Sequence, residues 1–156
     1  MEGSKIMRKT FSIAMLVVLV FCTGCAARKV AITPQKFTEI VEAAGFEVVD
    51  TTAIYESSLI QQSLGANNNV FVIELSVALS EAEANQIFNQ TKNKAELSKG
   101  NSAAESSTAF GNKANYRLSA AGIYYVLSKI DNTVICVQTE IANKSAVDEI
   151  VKKLGY

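Results

Sequence analysis

The chain has 156 residues, of which 49% are hydrophobic, 19% charged and 8% aromatic, with a single proline and no histidine or tryptophan. That length fits one domain, and that apolar fraction is enough to fill one core. Fifteen basic residues balance fifteen acidic ones, which excludes the electrostatic footprint of a nucleic-acid binder, and the missing histidine removes the commonest general base and metal ligand.

The leader comes first. Lys5, Arg8 and Lys9 precede a run from Phe11 to Cys22 whose only polar member is Ser12. A positive segment followed by an apolar core is the pattern of a secretory signal peptide, starting at Met1 or at Met7. The run is too short to span a bilayer, which takes roughly 20 apolar residues. Cys22-Thr23-Gly24-Cys25 follows at once. Small residues just before a cysteine, directly after the apolar core, resemble the lipobox of bacterial lipoproteins, with Cys22 where that family usually has leucine. The resemblance implies cleavage between Gly24 and Cys25 and a lipid on the Cys25 sulfur. Residues 1–24 are then a signal peptide, 25–32 a lipidated tether and 33–156 a single α+β domain. A diacylglyceryl group gives two chains at about 0.8 kcal/mol per buried methylene, so two chains anchor stably where one does not.

Processing leaves twelve basic and fourteen acidic residues, a net charge of −2 with an acylated terminus. The domain as a whole has no attraction to anionic lipid; only Arg28 and Lys29, beside the anchor, are placed to touch headgroups. Cys22 leaves with the leader and Cys25 carries lipid, so Cys136 remains as a single thiol that cannot form an internal bridge. Its place in the β-branched run Thr133–Glu140 suits a small buried strand residue. Ala26 to Ile32 reach at most about 25 Å when extended, which keeps the domain close to the membrane.

The first helix is expected after Thr33 as N-cap, with Pro34 at its first position and Ile32 and Phe37 at staple positions. Its inward face is Phe37, Ile40, Val41 and Ala44, and Gly45-Phe46 ends it. A strand over 46–52 follows, then a weaker one over 60–66 joined through Asn67-Asn68-Asn69 to 70–77. Ser80-Glu81-Ala82-Glu83 reads as a capping box, opening a second helix with Ala84, Ile87, Phe88, Thr91 and Ala95 inward. Residues 98–113 are rich in Ser, Ala, Asn and Gly and read as a mobile surface loop. Three strands follow over 114–120, 123–130 and 133–140, with turns at Ala121-Gly122 and Asp131-Asn132. A third helix follows Ser145, with Val147, Ile150, Val151 and Leu154 inward.

The order α-βββ-α-βββ-α predicts an antiparallel sheet of about six strands with three helices mainly on one face. A two-residue turn pairs Ile130 with Thr133. That puts Tyr124, Val126, Ser128, Ile130, Ile135, Val137 and Thr139 on a charge-free face toward the helices. The opposite face centres on Tyr125, Leu127, Val134 and Cys136, a candidate partner-binding surface.

Signatures of catalysis and of metal or phosphate binding are missing. Asp50, Glu74, Asp131 and Glu140 fall on different strands or turns, no lysine follows a serine by three positions, and no phosphate loop or calcium loop occurs. One cysteine without histidine cannot make a zinc site. No cofactor is expected. The body is similar to small lipoproteins of Gram-positive bacteria in three traits: the helix ending in Gly45-Phe46 before a strand, the hairpin Ile130-Asp131-Asn132-Thr133-Val134-Ile135, and the terminal Leu154-Gly155-Tyr156. That resemblance implies no activity. The sequence therefore points to a lipid-anchored protein on the extracytoplasmic side of the membrane, a binding or accessory module of the cell envelope with an envelope protein or ligand as partner. The rival readings are a small envelope enzyme using carboxylate or Ser/Tyr groups, and an inhibitor or sensor acting through the exposed sheet face.

Overall fold

The computed structural model describes residues 28–55, 58–100 and 103–156. The leader and Cys22, Thr23, Gly24 and Cys25 lie outside the described residues.

Helix α1 spans Pro34–Ala43. The Thr33 hydroxyl accepts from the Lys36 amide at 3.2 Å, as the N-cap expectation requires, and Ile32 and Phe37 both join the core. At its other end the Phe46 amide donates to the Val41 carbonyl and the Gly45 amide to the Glu42 carbonyl. This paired closure needs a left-handed residue, and Gly45 supplies it at φ 86°. Strand β1 (Glu47–Asp50) is shorter than expected, because Thr52–Ile54 turns into one 3₁₀ turn. Strands β2 (Ile60–Asn67) and β3 (Val72–Ala78) follow. Helix α2 (Glu81–Leu97) starts on the Ser80 cap, whose hydroxyl accepts from the Glu83 amide and bonds the Glu83 carboxylate.

Strands β4 (Ala104–Phe110), β5 (Lys113–Ala120), β6 (Ile123–Ile130) and β7 (Thr133–Glu140) then form a meander, and helix α3 (Lys144–Lys153) closes the chain. α3 begins one residue before Ser145, straight out of a 3₁₀ turn at Ile141–Asn143. Its end repeats the closure of α1: Tyr156 donates to Val151 and Gly155 (φ 88°) to Lys152.

All seven strands form one antiparallel sheet in the order β1-β2-β3-β7-β6-β5-β4. The segment expected as a loop over 98–113 thus contains a seventh strand. β4 is exposed at every position and has no apolar alternation, so only its pairing with β5 reveals it. An edge strand buries neither face deeply and needs no hydrophobic pattern.

The expected register holds: Ile130 faces Thr133, Val126 faces Val137 and Tyr124 faces Thr139. The charge-free face these residues define packs against α1 and α3, together with Phe37, Val41, Val147, Val151 and Leu154. Two of the three helices among the described residues lie on this face, in keeping with the expectation of helices mainly on one face. α2 crosses to the other side and lies over β5, β6, β7 and the end of β3, where Ala84, Phe88 and Ala95 meet Tyr116, Leu118, Leu127 and Val134. A seven-stranded sheet is too wide to leave so much of its second face uncovered, and α2, with its own apolar stripe, lies over part of it.

Candidate functional site

Of the four residues named for a partner-binding face, α2 covers Leu127 and Val134, which are only 3% and 2% exposed. Tyr125 and Cys136 lie at the flank of the helix and stay half-buried, with the Tyr125 hydroxyl receiving a hydrogen bond from Ser98 Oγ at 3.3 Å. The centre of the expected surface is therefore core. On the β1–β3 half of this side Val49 and Val72 are exposed, while Ser63, Gly65 and Ser76 are buried. The segment from Thr51 to Tyr55 approaches it closely enough that a Cβ on Gly65 would sit 3.2 Å from Thr51 Cγ2.

Under that segment lies a polar cluster that no motif announced. Glu74 stands opposite Cys136 across β3 and β7, and Ser63 stands opposite Ser76 across β2 and β3. Thr51 donates to the Ser63 hydroxyl at 2.9 Å, and the Ser63 and Ser76 hydroxyls face Glu74 Oε1 at 3.4 and 3.5 Å. Burial, then the neighbouring Glu74 carboxylate, pushes the Cys136 thiol up to about 12, so its thiolate is scarce at neutral pH. Burial and Glu74 raise the Tyr55 phenol as well. Ser63 is fully buried and out of reach of a substrate. The cluster ties the Thr51–Tyr55 segment to the sheet, and its signal in sequence is faint because its members are scattered over four segments.

A second cluster joins α3 to the sheet. Asp148 accepts from Tyr124 Oη at 2.6 Å, Arg117 Nη1 at 2.9 Å and Lys144 Nζ at 2.9 Å, while the Lys144 ammonium lies 4.6 Å from the Tyr124 ring centre. Burial works to raise the Asp148 carboxyl, but the bonds from Tyr124 and Lys144 and the Arg117 charge outweigh it and hold the group below the usual carboxylate range. A carboxyl depressed on folding contributes stability above its unfolded value, about 3.9, and loses it as the pH falls through its lower folded value. Asp148→Asn is accordingly expected to destabilise the protein at pH 7 and to flatten its stability curve between about pH 5 and pH 2, as measured by urea unfolding across that range.

The third constellation lies where the chain enters the domain. Three turns or strand ends meet at one end of the sheet: Gly111-Asn112 between β4 and β5, Asp131-Asn132 between β6 and β7, and Ala78-Leu79 after β3. They are stitched by backbone bonds from Asp131 to Asn112 and from Ala78 to Asn132. The entering chain is pinned here. Asn112 grips the Lys29 backbone from both sides, its Oδ1 accepting from the amide at 3.2 Å and its Nδ2 donating to the carbonyl at 2.6 Å. Arg28 bonds Asp131 at 2.7 Å, and Lys29 Nζ donates to the Gly155 carbonyl at 3.3 Å.

These contacts frame an open cleft of about 580 Å³ lined by Arg28, Lys29, Glu81, Phe110, Asn112 and Lys113. Glu81 pairs with Lys129 at 3.3 Å, and Asp131 with Arg28. Among the described residues no carboxylate pairs with Lys113, and its ammonium is weakened by burial and then by the Lys29 and Arg117 charges. The cleft thus carries excess positive charge beside Phe110, a large aromatic side chain left exposed. Among the described residues no three acidic or cysteine side chains gather as a group that could hold a metal ion, and no helix is long and apolar enough to cross a membrane.

The described residues form a small α+β fold: one antiparallel sheet with two helices on one face and one on the other. No family model and no curated protein matches the sequence. Among solved structures, the chain is distantly similar to a GTP-binding regulator from Thermotoga maritima, at 15% identity and a TM-score of 0.49, covering 79% of this chain and 84% of that one.

Proposed function

We propose that this protein is a lipid-anchored lipoprotein held on the extracytoplasmic face of the membrane, where its folded part serves as a binding or accessory module of the cell envelope. The observation that carries the reading is the Thr23-Gly24-Cys25 motif placed directly after the apolar run Phe11–Cys22 and its basic flank. The position of the folded part is in keeping with it: Arg28, three residues beyond the cysteine in sequence, bonds Asp131, and Ala31 and Ile32 lie against the core. With Leu127 and Val134 covered by α2, Val49 and Val72, exposed on the outer part of the β1–β3 half, support a partner contact on that side.

Intact-mass measurement of the native product tests the reading. The expected result is a chain that starts at Cys25 and carries the added mass of a diacylglyceryl group. A chain starting elsewhere, or an unmodified sulfur at Cys25, overturns it.

A further inference from the structure

We infer that the end of the sheet where the chain enters, centred on Phe110 and Lys113, is a membrane-docking face whose occupant is the anionic bilayer surface; the inference rests on the acylation of Cys25 proposed above. Three observations carry it.

The first is reach. Cys25 is three residues from Arg28 and at most about 11 Å from it along an extended chain. The chain does not swing freely beyond that point, because Asn112 and Asp131 fix Arg28 and Lys29 to the two turns. An acyl group on Cys25 therefore brings this end of the sheet, and no other, within reach of the headgroups. The far end, at the β2–β3 turn around Val70, stands roughly 20 Å away across the length of the strands.

The second is the apolar character of this end. Phe110 is 74% exposed as the last residue of β4, Leu79 is 59% exposed where β3 hands over to α2, and Val30 is 87% exposed in the entering chain. Three large apolar side chains at the tips of adjoining segments are costly in water. Inserted among headgroups and upper acyl chains they are favourable, with the aromatic ring suited to the interface.

The third is charge. The domain is net acidic after processing, yet among the described residues Arg28, Lys29 and Lys113 line this cleft, with Asp131 paired to Arg28 and Glu81 to the buried Lys129. Neither Lys29, whose ammonium spends one N–H on the Gly155 carbonyl, nor Lys113 meets a carboxylate among the described residues, and both have donors left for the phosphate oxygens of anionic lipid.

The native chain contains no tryptophan, so one introduced residue reports cleanly. The acylated full chain carrying Phe110→Trp, and a control carrying Val70→Trp at the opposite end, are reconstituted into vesicles of phosphatidylcholine and phosphatidylglycerol with bromine near the top of the acyl chains. Acylation of each preparation is verified by mass. The expected result is at least roughly two-fold stronger quenching and a blue-shifted emission for Phe110→Trp, with Val70→Trp unaffected. Adding Lys113→Glu to Phe110→Trp is expected to reduce that quenching, as is raising the salt. Equal emission at the two positions on an acylated chain overturns the docking face while leaving the anchor intact. Quenching that is indifferent to Lys113→Glu and to salt overturns the charge recognition. A chain that carries no acyl group overturns the anchor itself.

Discussion

Cys25→Ser is expected to move the protein from the detergent phase to the aqueous phase in two-phase partitioning, with loss of the acyl mass. The size of the effect follows from where the binding energy resides. Each buried methylene contributes about 0.8 kcal/mol, so two acyl chains supply far more than any surface patch of this domain. The remaining candidates are weak by comparison. A chain that starts at Cys25, as proposed, has a net charge of −2 and is repelled by anionic lipid as a whole. Lys29 and Lys113 contribute about 1 kcal/mol each near an anionic surface, and Phe110 adds the burial of a single ring. The docking face orients a tethered domain; it does not hold a free one. Retention of the serine variant in the detergent phase, with residues 1–24 shown by mass to be removed, would defeat the anchor.

Phe37→Ala is expected to cost about 3–5 kcal/mol, read as a fall in the urea midpoint with unchanged slope. Phe37 is fully buried at the staple position of α1 and packs into the same core as Val41, Ile73, Val126 and Val151. Truncation leaves a cavity between α1 and the sheet, and rigid strands on one side limit its collapse. It also removes the apolar partner of Ile32, loosening the point at which the tether turns into the helix. A change at Val70, which is exposed in a turn, is expected to stay within about 0.5 kcal/mol. Comparable losses at both positions would mean that α1 is not packed as described.

Local chemistry made much of this fold legible in advance. Thr33-Pro34 and Ser80–Glu83 mark helix starts because their side chains or missing N–H groups satisfy the first turn. Gly45-Phe46 marks a helix end because only a residue at ease with positive φ makes that closure. The Ile130–Thr133 pairing followed from the two-residue turn, and with it the whole face that meets α1 and α3. β4 was hidden for the opposite reason. Ala104–Phe110 is an exposed edge, and its identity as a strand comes from Tyr116, Arg117 and the rest of β5 across from it. The docking face was hidden as well: Phe110, Leu79 and Arg28 are far apart in the chain, and each alone is an ordinary surface residue.

The elements bounded by caps and turns, the register of the last hairpin and the motif that suggests a lipid on Cys25 were all readable from neighbouring residues. These are short-range properties, settled by neighbouring residues and by covalent geometry. It took long-range packing to settle which face each helix covers, that Leu127 and Val134 are core, and that the entering chain is clamped against two turns at one end of the sheet. An alternating strand has two apolar faces of similar quality, and nothing local says which helix will reach which one; the choice is made by the total area that seven strands must bury.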